Sequence, residues 1–191
     1  MKNFVLLSVL LCVSLTACHT DDDKELYFIG DSLVARWDVS YWFPSMITHN
    51  DGRSGCGIKY IEEHAGAYAG KDVVVIVGTN DMGHLTTDTE EAYVAQYVAA
   101  IKGLNAQRTF LFSIFPKSSD WCNDNNGGNE RIKRINAKIK AACQNITGIV
   151  YVDVYDTLEC DGYIYMQYSY DGLHLSSEGY ETITKILKKQ L

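Results

Sequence analysis

The feature that most constrains this chain is the run Asp72-Val73-Val74-Val75-Ile76-Val77, apolar at successive positions rather than at alternate ones. A strand with one wet face alternates apolar and polar side chains. A run apolar throughout needs cover on both faces, as in the middle of a parallel sheet flanked by helices. Other short runs accompany it: residues 26–29, ending at Gly30; residues 46–49, a weaker run before a glycine-rich stretch; residues 108–115; and residues 149–154. Helical patterns separate them. Tyr93, Val94, Tyr97, Val98, Ile101 and Leu104 recur at three- and four-residue spacing behind Thr87-Asp88-Thr89-Glu90, which has the form of a capping box. Ile132, Ile135, Ile139 and Ala142 mark another helix, and Tyr180, Ile183 and Leu187 a last one. Strand–helix alternation predicts an α/β domain with a five-stranded parallel sheet, helices on both faces, and ligands beyond the carboxyl ends of the strands.

The chain has 191 residues, which suits one domain with a short appendage. Its 24 acidic residues against 17 Lys and Arg leave a net charge of −7, which argues against a nucleic-acid partner. Residues 1–17 have a positive start at Lys2 and an apolar stretch too short to span a bilayer, the proportions of a signal peptide. Leu15-Thr16-Ala17-Cys18 resembles a bacterial lipobox. The expectation is an exported bacterial lipoprotein, periplasmic or at the cell surface, held to a membrane by lipid on Cys18. Residues 18–25 then form an acidic tether and residues 26–191 the domain. Export permits disulfides. Of Cys56, Cys122, Cys143 and Cys160, the expected pair is Cys122 with Cys160, both on loops after neighbouring strands.

Each strand end carries a motif. Gly30-Asp31-Ser32-Leu33 follows the first, where a serine hydroxyl can project into the crevice with helix N–H groups beside it. Asn50-Asp51-Gly52-Arg53-Ser54-Gly55-Cys56-Gly57 follows the second; its glycine order fits neither dinucleotide nor Walker phosphate loops. Gly78-Thr79-Asn80-Asp81 follows the third and offers a side-chain amide to an oxyanion. Asp171-Gly172-Leu173-His174 sets an acid three residues before a histidine, within reach of Nδ1. Singly, each motif has a plainer reading as a cap or turn. Together they supply a nucleophile (Ser32), a base (His174), its orienter (Asp171), and an oxyanion hole from Ser32 N–H, Gly55 N–H and the Asn80 side chain. That inventory fits acyl transfer. No H-E-x-x-H or close Cys/His cluster points to a metal.

The blocks FIGDSLV, NDGRSG, VGTND and DGLHLSSEGY, in that order, resemble the SGNH (GDSL-type) esterases and lipases, whose letters correspond here to Ser32, Gly55, Asn80 and His174. The resemblance covers nearly the whole chain beyond residue 28. VGTND and DGLHLSSEGY look most like the branch holding platelet-activating-factor acetylhydrolase catalytic subunits and small acetylesterases. One departure is Leu175, where many members carry proline after the histidine. The resemblance implies a flavodoxin-like three-layer α/β/α sandwich and no metal or organic cofactor. It also implies a serine esterase acting on short-chain acyl, chiefly acetyl, esters. Aromatic residues around the expected crevice (Trp37, Tyr41, Trp42, Trp121, Tyr163, Tyr165, Tyr168 and Tyr170) and the absence of a long apolar lid point to an acetylated glycan as substrate. The alternatives are a lysophospholipase or thioesterase with the same triad, or a non-catalytic glycan-binding lipoprotein. Oligomeric state stays open.

Overall fold

A parallel sheet ordered β2–β1–β3–β4–β5 forms the middle of the molecule. In the computed structural model, which describes residues 24–122 and 127–191, these strands are β1 (Glu25–Gly30), β2 (Ile47–Gly52), β3 (Asp72–Ile76), β4 (Arg108–Phe112) and β5 (Ile149–Val152). The signal segment, Cys18 and most of the tether lie outside the described residues. The order is that of the flavodoxin-like doubly wound sheet, whose switch point falls between β1 and β3.

Helices cover both faces: α1 (Ser32–Ala35), α2 (Val39–Trp42), α3 (Ile58–Glu62), α4 (Glu90–Gly103), α5 (Asn129–Cys143), α6 (Tyr155–Leu158) and α7 (Ser177–Lys188). The valine run explains the layering. Val73, Val75 and Val77 enter a core with Ile61 of α3, Tyr97 and Ile101 of α4, and Ile132, Ile135 and Ile139 of α5. Val74 and Ile76 enter the opposite core with Leu33 and Val34 of α1, Val39 of α2, and Ile183 and Leu187 of α7. Adjacent side chains of one strand thus serve two cores, as the pleat requires.

The structure departs from expectation at several places. β2 starts at Ile47 and runs on to Gly52, so Asn50, Asp51 and Gly52 belong to the strand rather than to the loop. Pairing with β1 along its full length draws them in, and Asn50 donates from Nδ2 to Val34 O and Trp37 O, both at 3.0 Å. The capping box is Thr86 with Thr89, one residue earlier than the pattern suggested. Glu90 instead opens α4 and is buried against Arg134 (2.8 Å) and Lys138 (3.2 Å) of α5. Cys143, not Ala142, takes the last core position of α5. An antiparallel hairpin, β6 (Glu159–Cys160) with β7 (Tyr163–Ile164), interrupts the long loop before α7. Cys122 and Cys160 do not pair; the hairpin holds Cys160 at the surface, and Cys56, Cys122, Cys143 and Cys160 are all free thiols.

Candidate active site

The turn after β1 is built around a close approach of two strands. A Cβ on Gly30 would meet the Ile76 carbonyl oxygen at 1.9 Å, and the next residue, Asp31, donates its N–H to that same oxygen at 3.0 Å. Asp31 then caps α1, its Oδ1 accepting from Leu33 N at 2.9 Å. Ser32 is thereby fixed as the first residue of α1, half-buried, at the switch point of the sheet.

The loops after β2 and β3 are tied to this turn and to each other. Arg53 N donates to Gly30 O at 2.8 Å, and the Cys56 thiol lies 3.3 Å from the same oxygen. Asn80 donates one Nδ2 hydrogen to Cys56 O at 2.8 Å, while Ile58 N donates to Asp81 Oδ2 at 3.0 Å. Gly55 sits in a turn with φ +77, a backbone shape that favours glycine. Among the described residues neither Ser32 N–H nor Gly55 N–H has an acceptor, and Asn80 keeps its second amide hydrogen unengaged.

The last motif arrives from the opposite edge of the sheet. Ser32 Oγ lies 2.9 Å from His174 Nε2, and His174 Nδ1 lies 2.7 Å from Asp171 Oδ2. Oδ1 of the same carboxylate accepts from His174 N at 2.7 Å and Leu173 N at 2.9 Å. A carboxylate only accepts, so Nδ1 carries the proton and Nε2 is left to accept from the serine. Burial acts to raise the Asp171 pKa, but the bonds from the His174 ring, His174 N and Leu173 N outweigh it and hold the carboxylate below its ordinary value. The segment is anchored by Trp121 Nε1 donating to Asp171 O at 3.1 Å and Ser118 N donating to Gly172 O at 2.8 Å. Tyr180 of α7 donates its hydroxyl to Leu33 O of α1 at 2.8 Å, so the elements behind histidine and serine are directly bonded.

Behind the serine the charges are unusual. Asp31 is fully buried and its Oδ2 has no partner among the described residues. Burial pushes its pKa up to about 7; the Leu33 N–H opposes, Asp81 adds to the rise, and Lys117 opposes. Burial likewise raises Asp81, against the bonds from Ile58 N and Tyr93. Burial pulls the Lys117 ammonium down to about 8, against Cys122 and Asp31. The Cys56 thiol is pushed up to about 12, chiefly by burial, so it stays protonated and does not compete with Ser32 as a nucleophile.

All five residues that the sequence motifs singled out within the domain, Ser32, Gly55, Asn80, Asp171 and His174, fall beyond the carboxyl ends of the strands, and Cys56 lies among them as a protonated thiol. His49 does not; it stacks on the Tyr27 ring, centroids 4.2 Å apart, beside the Glu25 end of β1. His64 is a packing residue, bonded to Tyr60 O at 2.8 Å. Lys117, which no motif includes, and His84, a loop-edge histidine without a partner evident in the sequence, both line a cleft of about 170 Å³ with Thr79, Asn80, Trp121 and Leu173. The sole sequence signal for Lys117 was its position just beyond the β4 run.

Comparisons with known proteins place the fold and the family. The model of the GDSL-like lipase/acylhydrolase family matches residues 28–182. The chain is 28% identical over 188 residues to platelet-activating factor acetylhydrolase IB subunit alpha1 of Pongo abelii, covering 90% of this chain and 77% of that protein. A GDSL-like lipase from Bacteroides thetaiotaomicron superposes with a TM-score of 0.69 at 22% identity, over 87% of each chain. A catalytic mutant of an acetylxylan esterase from Geobacillus stearothermophilus gives 0.60 at 14% identity, over 87% of this chain and 93% of that one. The chain therefore belongs to the GDSL-like lipase/acylhydrolase family and is a carboxylic ester hydrolase.

Proposed function

We propose that the chain removes acetyl and other short acyl groups from carbohydrate esters, with Ser32, His174 and Asp171 as its triad. One observation carries the reading: the unbroken chain from Ser32 Oγ to His174 Nε2 (2.9 Å) and from Nδ1 to Asp171 (2.7 Å), reached from opposite ends of the sequence. Ser32 Oγ forms a bond to the ester carbonyl carbon as its proton passes to Nε2. The carbonyl oxygen becomes an oxyanion, received by Ser32 N–H, Gly55 N–H and the second Asn80 hydrogen. As the carbon–alkoxy bond breaks, the imidazolium returns its proton to the leaving oxygen. Water then repeats the sequence on the acyl-serine, with Asp171 stabilising the imidazolium each time.

The cleft beside Asn80 is about 170 Å³, below the range of pockets that bury drug-sized ligands. Its size suits an acetyl or similarly short group. The name of the acetylxylan esterase with this fold supports the carbohydrate direction. The reading extends to export and anchoring through Cys18, carried by the lipobox-like sequence alone. The test is a series of p-nitrophenyl esters of rising chain length. The expected result is greatest kcat/KM at acetate or propionate and loss of turnover in Ser32→Ala. A preference for long chains would move the protein to the lysophospholipase reading, and normal turnover without the Ser32 hydroxyl would discard the triad.

A further inference from the structure

A second hollow, a groove of about 690 Å³, is lined by Tyr170, whose ring stacks on that of His174, and by Leu175, the residue after it. Leu173 lines the cleft and Leu175 the groove, the residues on either side of His174 in the chain, and the two hollows share no lining residue. The groove is walled by Tyr41, Trp42 and Tyr170, with Arg36, Asp38 and Glu178 among them. Tyr41 is 69% exposed and Tyr170 57%, a large apolar area left in water beside the site. The Tyr170 ring lies nearly parallel to the His174 ring, 15° between planes and 6.0 Å between centroids. Arg36 donates to the Tyr170 hydroxyl and sets its guanidinium 6.0 Å from the ring centre. Tyr170 is thus a held plate running from the imidazole into the groove. At its far side Tyr41 and Trp42 pack edge to face at 5.0 Å on α2, whose first turn is capped by Asp38 through Oδ1, leaving Oδ2 unengaged.

The chemistry of these walls selects among ligands. A hydrocarbon chain would strip water from Asp38, Glu178 and Arg36 and return nothing to them. A polyol uses both halves. The C–H faces of its rings lie on aromatic faces, while its hydroxyls donate to the carboxylates and accept from the guanidinium. The volume, within the usual range for small-molecule sites, accepts more than one sugar ring. The position follows from the reaction, since the leaving oxygen must take its proton from His174 Nε2 and the alcohol must therefore lie against that imidazole.

We propose that this groove is the subsite for the alcohol part of the substrate, an oligosaccharide whose rings stack on Tyr170, Tyr41 and Trp42. The inference rests on the carbohydrate-ester reading and adds where the carbohydrate lies and which side chains grip it. The test titrates the Ser32→Ala protein with xylotetraose, following calorimetry and the intrinsic tryptophan fluorescence, to which Trp42 contributes with Trp37 and Trp121. Binding is expected, weakened at least tenfold when Tyr41→Ala is added and unaltered by Tyr163→Ala on the hairpin outside the groove. Binding that ignores Tyr41, or none at all, overturns the subsite. Acetate release from acetylated xylotetraose by the wild-type chain examines the carbohydrate reading separately. Tyr41-dependent binding without acetate release keeps the groove and removes that reading. Acetate release with binding indifferent to Tyr41 keeps the reading and removes the groove.

Discussion

At the scale of single residues, two side chains next to the nucleophile give separable predictions. Asn80 has one amide hydrogen on Cys56 O and, among the described residues, one unengaged, which the proposed mechanism turns to the oxyanion. Asn80→Ala is expected to lower kcat by about 10²–10³, the usual cost of one oxyanion donor, with a smaller change in KM. Steady-state kinetics on p-nitrophenyl acetate checks this; a change in KM alone would make Asn80 a ground-state binder. Asp31 is a different case. Its pKa is raised to about 7 in the fold, so between the carboxylate's ordinary value near 4 and pH 7 the folded chain binds more protons than the unfolded one. Stability from this group is therefore full at low pH and falls as pH rises through that window. Asp31→Asn keeps an oxygen for Leu33 N and removes the charge. Its melting temperature relative to wild type should rise steadily from pH 4 to pH 8, whatever the offset at the acid end. Thermal melts across that range decide it, and a pH-independent difference would mean that Asp31 is ionised throughout.

At the scale of elements, the ion cluster joining α4 to α5 is the clearest target. Glu90 is almost fully buried and pairs with Arg134 and Lys138, which are one-third to one-half exposed. Its pKa is lowered, first by the bond from Arg134. Because the cations can return to water, Glu90→Gln should cost about 1–3 kcal/mol rather than the full penalty of stranding a buried charge. Urea denaturation measures it, and hydrolysis rates under native conditions should hold because the helices pack behind the sheet. This element also shows what the sequence could and could not disclose. The spacing of Tyr93, Tyr97 and Ile101 announced α4, but Glu90 looked like a cap because its partners lie 44 and 48 residues away on another helix. The four motif blocks were readable for the opposite reason: each is a short stretch at one strand end, and the parallel sheet brings all strand ends to one edge. Lys117, the Trp121 anchor and the Arg36–Tyr170 contact depend on which loops become neighbours, and no local pattern states that.

At the scale of the whole molecule, a hydrolase domain with an open groove follows an N-terminal segment that reads as an export and lipidation signal. If Cys18 carries lipid, the full chain expressed in a bacterial host will pellet with membranes and incorporate a clickable fatty acid. Cys18→Ala will lose the label, while the domain keeps its esterase activity. A soluble, unlabelled wild-type chain would leave the lipobox resemblance without function.

His174 stands between two neighbours, Leu173 and Leu175, that face different hollows. If the cleft takes the acyl group and the groove the alcohol, selectivity for the two halves of an ester is housed in separate compartments joined by one shared proton carrier. Libraries targeting either compartment should retune one preference at a time. On that assignment a lineage with this layout would exchange sugars while conserving its acyl taste, or the reverse, without rebuilding the reaction centre.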